Sequence, residues 1–272
     1  MKDVETVRYN HRMNQAFYDQ LSPYYHLIFP DWEASIKRQA QSLHRLIQSH
    51  WPGRVEQILD VACGIGTQTL GLAQLGYTLT ASDLSPGAIA RARSEAAARG
   101  LEIAFEVADM REVHPAQAQR FDLLIASDNS VPHLLSDAEI LMAFEAFYAQ
   151  LKPGGGCLIT VRDYERESRE GIQVKPYGVR VVDGVRYLIF QTWEFKGEIY
   201  DLKMYFVKDA CTGTGTGPGL DTGDLTTSVM SAQYYAVGLG KLCDLMVQAG
   251  FKQVQQFRDG YYQPVILGTR PA

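Results

Sequence analysis

The stretch ILDVACGIGTQTLGLAQLGYTLTASDLS, residues 58 to 85, decides the fold class of this chain. Its opening, with the preceding glutamine, is the apolar run QILDVA, which reads as a buried strand; TQTLGLAQLG reads as a helix and YTLTASD as a second strand. Gly64 and Gly66 lie between the first strand and the helix. Without Cβ atoms they let the chain turn tightly and approach a ligand, while the helix start offers N–H groups with no intrahelical partner. Thr69 stands where the common dinucleotide fingerprint has its third glycine. Asp83, at the end of the second strand, can accept hydrogen bonds from both ribose hydroxyls, an arrangement shared by nicotinamide and other adenosine carriers. Capping of the next helix is its structural alternative. The stretch therefore reads as an adenosine pocket without saying which adenosine.

Outward from this unit the alternation continues. PGAIARARSEAAARG is a helix opened by Ser85 and Pro86, EIAFEVAD a third strand, FDLLIASD a fourth, DAEILMAFEAFYAQL a helix and GGCLITVRD a fifth strand. Such alternation requires crossover connections and a mostly parallel sheet covered on both faces, with ligands at the carboxyl ends of the strands. Towards the amino terminus, residues 14–50 read as helical with breaks near Pro23 and Pro30, and Ile36, Leu43, Leu46 and Ile47 share a face. From Gly171 the runs are short and rich in valine, tyrosine and phenylalanine, with DG and KG between them, which is the pattern of antiparallel hairpins. CTGTGTGPGLDTGD, residues 211–224, reads as a mobile loop and not a phosphate cradle, because no lysine or helix-forming run follows. LGKLCDLMVQAG is a helix, and FKQVQQF and QPVILGTR are final strands that pair as a hairpin at the sheet edge.

The expected architecture is α/β: a Rossmann-like, seven-stranded, mostly parallel sheet with helices on both faces and a small antiparallel insertion. Residues 1–50 form an N-terminal helical cap contributing to the substrate site, and 51–170 the cofactor-binding core. Residues 171–236 form an antiparallel lid, and 237–272 complete the core sheet.

With 272 residues, 46% hydrophobic, 21% charged and a net charge of −5, the chain has the balance of a globular enzyme of small molecules and not of a nucleic-acid binder. No run of about 18 apolar residues suggests a membrane helix, and the polar start MKDVETVRYNHRMNQ has no secretory pattern, so a cytoplasmic location is expected. The cysteines at 63, 157, 211 and 243 have neither metal-ligand spacing nor disulfide-scaffold density, and Cys63 reads as a packing residue. The six histidines show no paired ligand spacing and HExxH is absent, so no metal is expected.

Taken with its neighbours, the glycine-rich stretch resembles the corresponding motif of class I S-adenosylmethionine-dependent methyltransferases: an acid, a small pair and Cys-Gly-x-Gly, here Asp60, Ala62, Cys63, Gly64 and Gly66. The likeness spans about residues 50 to 165. It implies that Ala62 and Gly64 line the methionine moiety, that Asp83, followed by Leu84, binds the ribose, and that Asp109 and Met110 of ADM sit against adenine. Ser127 and the SDNS segment, with Asp128, Asn129 and Ser130, would face the methionine end and the substrate. LKPGGGCLI, residues 151–159, resembles the family's turn into its fifth strand. The family does not require the third glycine.

Within the family, VRDY (161–164) and DNSVPHL (128–134) resemble segments of the glycine and sarcosine N-methyltransferase branch. That likeness implies that Arg162 clamps a substrate carboxylate and Asn129 stands near the acceptor amine. Val161 replaces the branch's usual histidine and Asp163 its asparagine, while FYDQLSPYYHLIFPDW is only loosely similar. On residue chemistry alone, Arg162 has two readings: a bidentate carboxylate contact, or an ion pair with Asp163 or Glu165. Tyr18, Tyr24, Tyr25, Phe29 and Trp32 either cover a cofactor and enclose its sulfonium or simply pack. Tyr25 is assigned to the cofactor, and Tyr18, Tyr24 and Tyr177 to the substrate. His133 is either structural or a substrate contact with a catalytic role.

The resulting expectation is methyl transfer from S-adenosyl-L-methionine, with S-adenosyl-L-homocysteine as product, to the amine of a small carboxylate-bearing metabolite such as glycine, sarcosine or a related amino acid. The alternatives are O- or C-methylation of a larger aromatic metabolite, with His133 or a tyrosine as base, and a noncatalytic cofactor-binding protein. The expected partner is a small-molecule substrate, with no nucleic acid and no membrane, and the chain is a possible homo-oligomer.

Overall fold

The computed structural model describes residues 4–113, 120–209 and 225–272. The mobile-loop reading of 211–224 lies outside these residues. Two helices lead the chain, α1 (Val4–Leu21) and α2 (Trp32–His50), joined through a 3₁₀ turn at Tyr25–Ile28. The break falls where Pro23 and Pro30 interrupt the pattern. Asp31 caps α2 by accepting from the Ala34 N–H at 2.9 Å, and Ile36, Ala40, Leu43 and Ile47 form its buried stripe.

The core follows as β1 (Gln57–Asp60), α3 (Thr67–Gln74), β2 (Thr78–Asp83), α4 (Pro86–Ala98), β3 (Ala104–Val107), β4 (Phe121–Ala126), α5 (Asp137–Gln150) and β5 (Leu151–Thr160). After an antiparallel block come α6 (Leu239–Gln248), β10 (Lys252–Phe257) and β11 (Val265–Thr269). The seven-stranded sheet has the order β10-β11-β5-β4-β1-β2-β3. Strands β3, β2, β1, β4 and β5 are parallel; β11 runs antiparallel to β5 and β10 to β11, which is the expected edge hairpin. Leu123, Leu124 and Ile125 are fully buried because both faces of β4 are covered, each burial contributing about 1.5–3 kcal/mol. The start of β5 is irregular: its register with β4 shifts between the Leu151–Phe121 and Gly156–Leu123 pairs and Gly154 has φ +80, so residues 152–155 make the turn into the regular strand, as expected from LKPGGG. At Gly71 a Cβ would lie 2.6 Å from the Ala40 Cβ and 2.7 Å from the Ile36 carbonyl, so glycine permits the close crossing of α2 and α3.

The order reverses between β1 and β4, and the carboxyl ends of β1, β2 and β4 border a crevice at that switch point. α1 is fastened beside it: Asp19 Oδ1 accepts from the Ser85 hydroxyl at 2.6 Å and from the Gly87 N–H at 2.9 Å, at the start of α4.

The four remaining strands, β6 (Ile172–Val182), β7 (Val185–Lys196), β8 (Ile199–Asp209) and β9 (Leu225–Tyr235), form a separate antiparallel sheet in sequential order. Its inner face joins Phe17, Leu21, Leu27 and Tyr164 in a second core built on Trp193, Tyr200 and Phe206. Its outer face leaves Ile172, Val174, Val179, Leu188 and Val229 exposed. Among the described residues no helix is long and apolar enough to cross a membrane.

Candidate active site

The turn after β1 is built by buried hydrogen bonds. Asp60, 1% exposed, accepts from the Thr69 hydroxyl at 2.6 Å and more weakly from the Ala62 N–H at 3.3 Å. Burial raises its carboxyl to about 7. Thr69, at the position of the missing third glycine, thus ties α3 to the acid of β1. Asp83 Oδ2 accepts from the Gly64 N–H at 2.8 Å and Oδ1 from the Ser85 N–H at 2.9 Å, so one carboxylate clamps the glycine loop and the turn into α4. Its pKa is raised, by burial first. Capping of α4 itself falls to Ser85, whose Oγ accepts from the Ala88 N–H at 3.0 Å.

These turns wall a cleft of about 910 Å³, counting its open mouth. Its lining includes Leu84, Asp109, Met110, Arg111 and Glu139 as well as Ala62, Cys63, Gly64, Ser127, Asp128, Tyr18 and Tyr25. Asp109 is braced by Arg111, whose Nη2 lies 2.6 Å from Oδ2, and Arg111 also reaches Glu139 at 2.7 Å. Gly64 has φ +54, and a Cβ there would stand 3.2 Å from Tyr25 Cε1, so this ring closes directly over the loop. On three residues that line this cleft a buried polar atom has no hydrogen-bond partner among the described residues: Asn14 Oδ1, Ser127 Oγ and Ser130 Oγ.

His133 lies where the cleft meets the antiparallel sheet. Its Nε2 shares a hydrogen bond with the Tyr18 hydroxyl at 2.8 Å and its ring lies 3.9 Å from that of Tyr234. Burial first, and the Arg162 charge second, pull it down to about 3, so the imidazole is neutral at physiological pH. Tyr18 and Tyr25 are pushed well above the usual phenol range, mainly by burial.

Arg162, just beyond β5, packs against the antiparallel sheet: its guanidinium carbon lies 4.8 Å from the Trp193 ring centre and 5.4 Å from that of Tyr234, and Nη1 donates to the Tyr200 hydroxyl at 3.0 Å. Among the described residues no carboxylate pairs with it. Asp163 and Glu165, the alternative partners, bind Arg258 instead, at 2.8 and 2.6 Å.

The structure brings Ala62, Cys63, Gly64, Asp83, Leu84, Asp109, Met110, Ser127, Tyr18, Tyr25 and His133 into one cleft. Asp60 and Gly66 stand behind it, the latter as the φ +95 cap of α3. Asn129 is placed differently from the sequence expectation. It is 1% exposed and faces away: its Oδ1 accepts from the Arg162 backbone N–H at 2.9 Å and its Nδ2 donates to the Tyr164 hydroxyl at 2.8 Å. With both ends of the amide engaged, Asn129 positions the Arg162 segment and presents nothing to the cleft. Tyr24 packs on Phe206 at 5.3 Å in the second core, and it is not among the residues lining the cleft. Tyr177 packs against the same core. Sequence reasoning missed Asn14, Arg111 and Glu139. Glu139 was masked by its place in the capping box of α5, where Ser136 is the N-cap.

Among the described residues no three His, Cys, Asp or Glu side chains are grouped to hold a metal. Residues 58–155 match the profile of a methyltransferase domain family. Glycine/sarcosine N-methyltransferase from Parasynechococcus marenigrum is 28% identical over 63% of this chain and 59% of its own length. The dTDP-3-amino-3,6-dideoxy-alpha-D-glucopyranose N,N-dimethyltransferase from Streptomyces fradiae is 30% identical over 52% of this chain and 53% of its own length. The chain therefore spans little more than half the length of these relatives. Among solved structures, Streptomyces venezuelae DesVI superposes with a TM-score of 0.72 at 18% identity, over 88% of this chain and 92% of that one. The S-adenosylmethionine-bound amino pentose methyltransferase CalS10 from Micromonospora echinaspora gives 0.70 at 18%, over 87% and 92%. At these identities the likeness is one of fold.

Proposed function

We propose that this chain, whose residues 58–155 match a methyltransferase domain family, is a class I, S-adenosylmethionine-dependent methyltransferase that methylates the amine of a small, carboxylate-bearing acceptor such as glycine, sarcosine or a related amino acid. The observation carrying the acceptor class is Arg162: a guanidinium set among Trp193, Tyr200 and Tyr234, with no carboxylate partner among the described residues. A charge this enclosed favours an anion supplied by the substrate.

The cleft's residues fit the cofactor. Gly64 admits a ligand where a Cβ would press on Tyr25, Asp83 and Asp109 offer carboxylate oxygens towards a nucleoside, and the orphaned Asn14, Ser127 and Ser130 atoms suit a polar methionine end. When bound, S-adenosylmethionine supplies an already activated methyl group. The remaining work of the chain is to hold, align and dry the reactants. Arg162 holds the acceptor carboxylate, Tyr18 and Tyr25 cover the mouth, and the antiparallel sheet excludes water. No side chain here is a strong base near neutrality: His133 is held near 3 and the surrounding phenols are raised. An amine that arrives neutral needs no base before attack. A phenol or carbon acid does, so the O- or C-methylation reading is the weaker one. The same reading puts the enzyme in the cytoplasm, in keeping with the unpaired thiols of Cys63, Cys157 and Cys243.

The test is turnover of matched acceptors, amino acids beside the corresponding amines lacking the carboxylate, by wild type and Arg162→Ala. Loss of a desolvated charge pair costs 2–5 kcal/mol. The variant should therefore lose at least about 30-fold in kcat/KM on the amino acids and little on the amines. Equal activity of both proteins on the amino acids would sink the clamp assignment. Cofactor binding without turnover of any acceptor would favour a noncatalytic protein.

A further inference from the structure

Resting on the N-methylation reading, the geometry points to Asp128 as the group that receives an N–H of the acceptor amine, and so limits transfer to acceptors that still carry an N–H, ending at the tertiary amine.

Asp128 and Asn129 follow β4 with φ of 56° and 65°. Two successive left-handed residues, neither of them glycine, are held by outside bonds: the Asp128 N–H donates to Thr160 Oγ1 at 2.8 Å and the Asn129 N–H to the Thr160 carbonyl at 2.9 Å. The turn sends the two side chains different ways. The Asn129 amide is consumed behind the cleft, whereas Asp128 lines it beside Ser127, Ser130 and Tyr25. Asp128 Oδ1 accepts from the Tyr262 hydroxyl at 2.7 Å and from Gln263 Nε2 at 3.3 Å, and Gln263 is itself fixed by the Thr160 hydroxyl at 2.9 Å. Oδ2 receives no hydrogen bond from any described residue, and no cation pairs with this carboxylate. One oxygen is anchored and the other is available.

Asp128 thus brings an unpaired carboxylate to the cleft, and Arg162 stands as an unpaired guanidinium among Trp193, Tyr200 and Tyr234. The Tyr177 phenol is raised by burial first, with the Arg162 charge lowering it and the Asp128 charge adding to the rise. An amino acid carries the complementary pair of groups.

The chemistry assigns Asp128 a role at the transition state. The amine lone pair forms the new N–C bond while the S–C bond breaks and its electron pair stays on sulfur, giving the neutral thioether product. Positive charge thereby moves from sulfur to nitrogen. A fixed carboxylate accepting an N–H stabilises that developing charge and steers the remaining lone pair towards the methyl group. The methylated ammonium then loses a proton to water. The secondary amine still offers Asp128 an N–H; the tertiary amine offers only C–H groups, so a third transfer lacks the contact.

The experiment compares wild type with Asp128→Asn, both checked for folding by circular dichroism. It measures S-adenosylmethionine Kd by calorimetry, kcat and KM for primary, secondary and tertiary amine forms of one acceptor at saturating cofactor, and products by mass spectrometry. Wild type should use the tertiary form at least about 10-fold more slowly than the secondary, the value of a charge-assisted hydrogen bond. Asp128→Asn should lose about 10- to 100-fold in kcat on the primary and secondary forms, narrow the gap to the tertiary form, and keep its cofactor Kd within about threefold. Tyr262→Phe, which removes the anchor and leaves the carboxylate, should give a smaller loss of the same kind. A weakened cofactor Kd with unchanged kcat at saturation would assign Asp128 to the cofactor and overturn the proposal. So would a wild type that quaternises the tertiary amine as fast as it methylates the secondary one. If wild type turns over no amine, the N-methylation reading itself fails. If Arg162→Ala loses its carboxylate preference while Asp128→Asn is silent, only the Asp128 assignment fails.

Discussion

Replacing Asp60 by asparagine should flatten the dependence of stability on pH. The carboxyl is buried at the end of β1 and raised from 3.8 to about 7, with desolvation the leading cause and the Thr69 and Ala62 hydrogen bonds opposing it. Between these two values the folded protein holds a proton that the unfolded chain has released, so unfolding releases protons and stability falls as pH rises through the window. About three units correspond to about 4 kcal/mol in total, of which about 2 to 3 kcal/mol develops between pH 5 and pH 8. His133 acts in the opposite sense. Its pKa is lowered to about 3, so the unfolded chain binds the extra proton between about 3 and 6.5 and stability rises with pH there.

The wild-type profile therefore mixes opposed slopes, and the difference between wild type and Asp60→Asn isolates one of them. Denaturant unfolding without cofactor at pH 5, 6, 7 and 8 measures that difference. The variant starts at a disadvantage at pH 5, where the neutral acid can both donate and accept, and should gain about 2 to 3 kcal/mol on the wild type by pH 8. Parallel profiles over this range would refute the reasoning and mean that the Asp60 carboxylate ionises at its ordinary value inside the fold.

Gly64→Ala places a Cβ 3.2 Å from Tyr25 Cε1 at φ +54 and costs on the order of 1 kcal/mol in backbone strain alone; calorimetry should show about tenfold weaker S-adenosylmethionine binding, and an unchanged Kd would remove Tyr25 from the cofactor's cover. In the pH profile of kcat/KM, any inflection between pH 5 and 7 should survive His133→Gln, since His133 is neutral throughout that range; its disappearance in the variant would make His133 a titrating base. The outer face of the antiparallel sheet should be covered by a second copy of the chain. Four strands, mostly of 11 residues, at about 3.4 Å per residue and about 4.8 Å apart present roughly 700 Å², near the share of one partner in a standard interface. Light scattering should give a dimer that Leu188→Lys with Val229→Lys halves in mass, and a wild type that is monomeric at micromolar concentration would refute it.

The core was legible because each element announced itself locally. Buried parallel strands read as unbroken apolar runs, Ser85 and Pro86 opened α4 in the order a helix start requires, and two glycines marked the turn at which the crevice opens. The antiparallel block was equally legible, since hairpin registers are set by the turns within it, as at Asp183 and Gly184, where φ is positive at both residues. The entry to β5 was legible too: LKPGGG carries turn composition, and the register with β4 shifts within it, with Gly154 at φ +80, before regular pairing with β4 and β11 begins at Gly156.

At the site, residue identity was readable and direction was not. Asp128 and Asn129 are adjacent polar residues in one turn, and neither periodicity nor composition tells which faces the ligand. The decision comes from Thr160 and Tyr164, on the far side of β5, which bind the turn's backbone and the Asn129 amide and leave the carboxylate facing the cleft. The same bonds fix the backbone of Arg162. The position of the acceptor's carboxylate clamp and the direction of Asp128 are thus set by one hydrogen-bonded unit, and a substitution at Asn129 should disturb both. Asn129→Ala would leave the Arg162 N–H without its partner, at about 1–3 kcal/mol, and the Tyr164 hydroxyl with Tyr200 alone. A rise in acceptor KM together with a fall in kcat, at unchanged cofactor Kd, is the pattern expected of a residue that touches neither reactant and positions both contacts.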